Sequence, residues 1–181
     1  MMPEYLKRYG PRYITGVIFG RKSLKEYSED VLEETRSYEK TNGPITIIIG
    51  YSMGGLIARY AAKRLQNVRK LILVATPNLG IEKRILRKIP FLWRIKCVQD
   101  SIEGSEFLKK LNSELPLDCK VFLIAGSNDK FVSLKSALGM DVPTNQKIIL
   151  PFGHSELIPR IGNYDDNEGA IPKIVQLLKD R

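Results

Sequence analysis

The run Ile45-Thr46-Ile47-Ile48-Ile49 leads directly into Gly50-Tyr51-Ser52-Met53-Gly54-Gly55, and Leu56 to Leu65 then follows a helical pattern. Few folds accept that succession. Five almost uniformly apolar, β-branched residues suit a central parallel strand that is covered on both faces. A serine between glycines, set between such a strand and a helix, suits a very tight strand-to-helix turn. There the serine takes a strained backbone conformation that lifts its hydroxyl clear of the sheet. Side chains two residues before and two after it are expected to collide, which calls for glycine at 50 and 54.

The rest of the chain repeats the strand and helix alternation. Tyr13 to Phe19, Lys70 to Ala75, Lys120 to Ala125 and Gln146 to Leu150 read as strands. Ser23 to Tyr38 reads as a helix, with Leu24, Tyr27, Val31, Leu32 and Thr35 at helical spacing. Asn42-Gly43-Pro44 is a turn, residues 81–113 form two or three helical pieces broken near Pro90 and Gly104, and Pro172 to Asp180 closes the chain as a helix. The expected architecture is an α/β three-layer sandwich, a mostly parallel sheet of about five strands between helices. At 181 residues this is one domain, 1–181, with a small helical cap or lid inserted at about 81–116.

Composition narrows the chemistry. Hydrophobic residues are 43% and charged residues 27%, which is a globular balance. One histidine excludes any multi-histidine metal site, and no cofactor is called for. Two cysteines, Cys97 and Cys119, suggest a reducing compartment, and the first residues have no apolar core of a signal peptide, so a cytoplasmic location is expected. The net charge of +9 is spread along the chain without a nucleic-acid-binding motif, so no nucleic acid is expected as a partner.

A serine in such a turn needs a base. His154 follows the strand Gln146–Leu150 through Pro151-Phe152-Gly153, which puts it beyond the carboxyl end of a strand, the edge where sites form in these sheets. The third member should lie between the two in the chain. Asp129, in Gly126-Ser127-Asn128-Asp129, directly follows the strand Lys120–Ala125 and can fix the imidazole. Its rivals are Asp100, Asp118, Asp141, Glu82, Glu103, Glu106 and Glu114. Asp118 precedes its strand, and the others stand away from strand ends.

Together these segments resemble an α/β-hydrolase of the lipase/esterase type. The stretch Gly50-Tyr51-Ser52-Met53-Gly54-Gly55-Leu56-Ile57-Ala58-Arg59-Tyr60 is very close to that family's nucleophile elbow and following helix. Thr76-Pro77-Asn78-Leu79-Gly80 is similar to its Thr-Pro-His-x-Gly turn, with Asn78 in place of histidine. Gly126 to Val132 resembles the acid loop, and Gly153-His154 the histidine loop. The resemblance covers about residues 13–181. It implies Ser52 as nucleophile, Asp129 as acid, His154 as base and the Met53 N–H as one oxyanion donor. It also implies an earlier strand with a second oxyanion donor, which would lie upstream of Met1, so an N-terminally shortened fold is expected.

The expected function is serine hydrolysis of carboxylic esters through an acyl-serine intermediate, on a small-molecule ester or lipid. The same machinery serves thioesters and amides. Leu79 and Trp93 are the candidate substrate-binding residues. Between Ile81, Ile85, Ile89, Leu92 and Trp93 stand Lys83, Arg84, Arg87, Lys88, Arg94 and Lys96. The plain reading is an amphipathic helix buried on its stripe. The alternative is a lid in peripheral contact with an anionic membrane. The rival function follows from that alternative: a catalytically impaired hydrolase-fold module that binds a membrane surface or a protein partner through its basic cap.

Overall fold

The computed structural model describes residues 22–87, 92, 94–114, 117–158 and 169–179. The expected strand Tyr13–Phe19, Pro90 and Trp93 lie outside the described residues.

Helix α1 (Leu24–Asn42) begins where the sequence supplies a cap. The Ser23 hydroxyl accepts from the Glu26 N–H at 3.2 Å, and the Glu26 carboxylate accepts from the Ser23 N–H at 2.7 Å. Such a reciprocal pair stabilises a helix start by about 1 kcal/mol. Asp100 accepts from the Leu24 N–H at 2.8 Å, tying this helix end to a distant segment. Gly43, at φ 85°, ends the helix in a conformation that costs glycine little.

Four parallel strands follow: β1 (Ile47–Tyr51), β2 (Lys70–Val74), β3 (Lys120–Gly126) and β4 (Lys147–Leu150), in the order β1-β2-β3-β4. The register Tyr51↔Val74↔Ile124 aligns their carboxyl ends. In β2, Leu71, Ile72, Leu73 and Val74 are all buried. Neighbouring strands cover both edges and helices both faces, which is why the strand is apolar throughout instead of alternating.

Each face has its own core. Leu71, Leu73, Val121 and Leu123 pack with Leu24 and Leu32 of α1 and with Leu56 and Ile57 of α2 (Met53–Ala62). Ile72, Val74, Phe122 and Ile124 pack with Leu157 of α7 (His154–Leu157) and with Ile174 and Leu177 of α8 (Ile171–Lys179). Between β2 and β3 the described residues include the helices α3 (Lys83–Leu86), α4 (Lys96–Asp100) and α5 (Glu106–Ser113). Leu86, Cys97, Val98, Leu108 and Leu111 of these helices belong to the first of those cores. Lys83, Arg84, Arg87, Arg94 and Lys96 are exposed, and Arg84 pairs with Glu82 at 2.5 Å. The fold is therefore the expected α/β sandwich, with four strands among the described residues. The short helix α6 (Leu134–Ala137) and a 3₁₀ turn (Thr144–Gln146) were not legible from periodicity, because one turn is too short to show it.

Candidate active site

Ser52 occupies the turn between β1 and α2 with φ 51° and ψ −130°, a conformation costing about 1–3 kcal/mol for a residue with a Cβ. The turn is held by hydrogen bonds from Ser52 N–H to the Val74 carbonyl (2.9 Å) and from Gly55 N–H to the Ser52 carbonyl (3.0 Å). The glycines differ from the sequence expectation. A Cβ on Gly50 would lie 2.5 Å from the Gly55 Cα and 2.8 Å from the Ala58 Cβ, so glycine is required there. A Cβ on Gly54 would meet nothing within 4 Å. The crowded position after the serine is Gly55, where a Cβ would run into the Thr76 side chain. Collision about the serine is thus set by how α2 crosses β1 and the turn after β2, and not by symmetric spacing.

Asp129 and His154 sit on two loops laced together. Ser127 N–H donates to the Leu150 carbonyl at 2.8 Å, Asn128 N–H to the Phe152 carbonyl at 3.2 Å, and the Asn128 amide to the Pro151 carbonyl at 3.3 Å. Gly126 allows this approach, since a Cβ there would lie 2.2 Å from the Phe152 carbonyl oxygen.

These loops bring the three predicted residues together. His154 Nε2 lies 3.0 Å from Ser52 Oγ, and His154 Nδ1 lies 2.7 Å from Asp129 Oδ2. A carboxylate only accepts, so Nδ1 carries the proton and Nε2 is free to accept from the serine. Burial pushes the Asp129 carboxyl up. The hydrogen bond from His154 and those from the Val132 and Phe131 N–H groups outweigh it and hold the carboxyl below its ordinary range. The Asp129 side chain is 1% exposed and that of His154 17%. Asp129 is therefore an ionised, dry partner for an imidazole that solvent can still reach. The rival carboxylates have other places. Asp100 caps α1, Glu82 pairs with Arg84, Glu106 with Lys109 and Glu114 with Arg64, while Glu103, Asp118 and Asp141 are exposed.

Sequence reading missed two aromatic neighbours. The Tyr51 hydroxyl donates to the His154 carbonyl at 2.7 Å, and the two rings stand 5.2 Å apart. Burial, then the nearby Asp129 charge, raises the Tyr51 phenol to about 12, so it stays a donor. Phe131 stands 5.6 Å from the imidazole, ring to ring. Neither has a periodic signature. Each was visible only as a neighbour in sequence of Ser52 or Asp129.

Met53 opens α2, so its N–H is among those with no acceptor inside the helix, and the positive end of the helix faces the serine. Leu79 packs against Gly139, where a Cβ would lie 2.4 Å from the leucine side chain, and its N–H donates to the Ser136 hydroxyl at 3.3 Å. Those contacts give it a packing role. Trp93 lies outside the described residues. Asn78, where the resembled family has histidine, is fully buried. Its amide donates to the Ala137 carbonyl at 2.7 Å, and it accepts from the Arg59 guanidinium at 3.3 Å. Burial lowers Arg59 to about 10 against the attraction of Glu114, and its Nε has no hydrogen-bond partner. Among the described residues no group of three or more His, Cys, Asp or Glu side chains is placed to hold a metal ion, and no helix is long and apolar enough to cross a membrane.

The sequence profile of one family, Serine hydrolase (FSH1), matches residues 19–166. The chain belongs to the FSH1 serine hydrolase family. A comparison with curated proteins returned no match. The similar solved structures named next are distant in sequence from this FSH1-family chain. Bacillus licheniformis lipase BlEst2 matches with a TM-score of 0.55 at 17% identity, over 74% of this chain and 66% of that one. The α/β hydrolase MGS-MChE2, from the metagenome of lagoon sediments at Mar Chica, Morocco, matches with 0.54 at 17%, over 91% and 71%. The phospholipase PlaB of Legionella pneumophila matches with 0.53 at 20%, over 70% of this chain. This chain spans 35% of that phospholipase's length. At such identities the likeness shows the fold, which is that of the α/β-hydrolases.

Proposed function

We propose that this FSH1-family chain hydrolyses carboxylic esters through an acyl-Ser52 intermediate. The observation that carries the reading is the continuous line of hydrogen bonds from Ser52 Oγ through His154 to Asp129, at 3.0 and 2.7 Å. His154 Nε2 takes the proton of Ser52 Oγ as the oxygen attacks the ester carbonyl. The Met53 N–H and the start of α2 stabilise the oxyanion. His154 then returns the proton to the leaving alcohol as the C–O bond breaks. Water, deprotonated by the same imidazole, releases the acid. Asp129 keeps the imidazole in the tautomer this needs and stabilises the imidazolium. Thioester and amide cleavage would use the same groups. Apolar acyl chains are the substrates we favour, and the location we favour is cytoplasmic.

The test is labelling by a fluorophosphonate probe, which reacts where a serine is activated by its base. Labelling of the native chain that disappears in Ser52→Ala, together with ester turnover lost in the same variant, is the expected result. A well-folded native chain that takes up no probe overturns the reading.

A further inference from the structure

Three large apolar side chains are exposed among the described residues. Ile49 and Ile149 stand on β1 and β4, the outer strands of the described sheet. The third, Phe131, is 47% exposed and stands in the acid loop. It joins none of the apolar clusters formed by the described residues. Its main chain is nonetheless fixed, because its N–H donates to Asp129 Oδ1 at 2.8 Å and the next N–H, that of Val132, to the same oxygen at 2.9 Å. An apolar ring is thus carried on a fixed main chain, wet on one side, with its centre 5.6 Å from that of the imidazole. Tyr51, the other aromatic neighbour of His154, packs into the core beneath the sheet. Of the two, Phe131 is the one an incoming substrate meets.

Chemistry decides which part of a substrate meets it. The carbonyl oxygen must point to the Met53 N–H at the start of α2. The leaving oxygen must come within hydrogen-bond reach of His154 Nε2, which returns to it the proton taken from Ser52 as the acyl C–O bond breaks. The group attached to that oxygen is therefore carried alongside His154, where Phe131 stands. We propose that Phe131 is a specificity-determining residue whose exposed ring binds the alcohol side of the ester and selects apolar leaving groups. The inference rests on the acyl-enzyme reading above and names the substrate side that reading leaves open.

The experiment measures kcat/KM for methyl, n-butyl and n-hexyl acetate in the native chain, Phe131→Ala and Phe131→Leu. The three alcohols are nearly equal in basicity, so the series varies apolar size and not leaving ability. The native chain is expected to prefer hexyl over methyl acetate. That ratio falls about tenfold in Phe131→Ala and stays within about threefold of native in Phe131→Leu, which keeps an apolar contact. A companion series of methyl acetate, butyrate and hexanoate keeps its slope in both variants. An unchanged hexyl-to-methyl ratio in Phe131→Ala, or an equal loss on every ester, overturns the inference. So does a native chain that labels at Ser52 with fluorophosphonate but shows no preference among the alcohols, and in that case the acyl-enzyme reading survives. A native chain that neither labels nor turns over esters overturns both.

Discussion

The Tyr51 hydroxyl donates to the main-chain carbonyl of His154 at 2.7 Å, so the residue before the candidate nucleophile anchors the candidate base. The two lie 103 positions apart in the chain. Removing the hydroxyl while keeping the ring isolates this bond. In Tyr51→Phe, kcat is expected to fall about tenfold with KM retained, the cost of one buried acceptor left unpaired beside a base that must hold its angle. The variant also reports on alkaline stability. Burial raises the folded phenol to about 12 from 10. The unfolded chain therefore loses this proton first, and the stability it contributes is intact below pH 10 and lost as pH rises towards 12. Urea unfolding at about pH 8 and about pH 11 should show a smaller alkaline loss in Tyr51→Phe. Equal losses in the two proteins would remove Tyr51 from the account.

Asp129→Asn places an amide where the imidazole needs an acceptor. If the substituted side chain presents its NH2 group, Nδ1 must accept, and the proton moves to Nε2, where it blocks attack. Turnover and fluorophosphonate labelling should both fall by roughly 10⁴. The carboxyl is held below its ordinary value, so its contribution to stability is present above the unfolded value of 3.8 and lost as pH falls through the lower folded one. Unfolding midpoints should accordingly separate the native chain from the variant at neutral pH and converge in acid.

The parts of this molecule written in local pattern were readable without coordinates. The β-branched run at 45–49, the apolar run at 71–75 and the capped helix beginning at Ser23 needed only pattern and capping chemistry. Ser52, Asp129 and His154 could be chosen because each follows a strand, and parallel strands end together. What could not be read depends on contacts between segments far apart in sequence. The elbow helix starts at Met53 instead of Leu56, because Gly54 and Gly55 join a helix that packing against β1 extends backwards. Ala75 takes a φ of 48° just before Thr76, and no residue type announces it. Tyr51 and Phe131 look like any aromatic residues until the fold sets both rings beside His154.

The two glycines nearest Ser52 make opposite predictions. Gly50→Ala forces its Cβ against main chain at 2.5 Å and against Ala58, neither of which can swing away. A loss of about 2–3 kcal/mol or more is expected, with labelling impaired as the elbow shifts. Gly54→Ala adds its methyl to open space inside a helix and should be neutral or stabilising by up to about 1 kcal/mol. Chemical denaturation of both variants checks the pair. A Gly54→Ala variant as damaged as Gly50→Ala would mean the motif, and not the local space, sets the requirement.

Strain at Ser52 itself is open to measurement. Its φ of 51° with ψ −130° suits glycine far better than any residue with a Cβ. Ser52→Ala and Ser52→Gly both delete the hydroxyl, so both should abolish labelling. Only the glycine relieves the backbone. Part of that gain is offset because glycine gives the unfolded chain more freedom, about 0.5–1 kcal/mol. The net expectation is that Ser52→Gly exceeds Ser52→Ala by about 1 kcal/mol, or roughly 2–4 °C in Tm for a chain of this size. Differential scanning calorimetry of the two variants decides it. A glycine variant more stable than the alanine one would show strain stored at the position of the proposed nucleophile, a common relation between stability and activity. A glycine variant less stable than the alanine one would mean the turn is relaxed and its shape is set by packing alone.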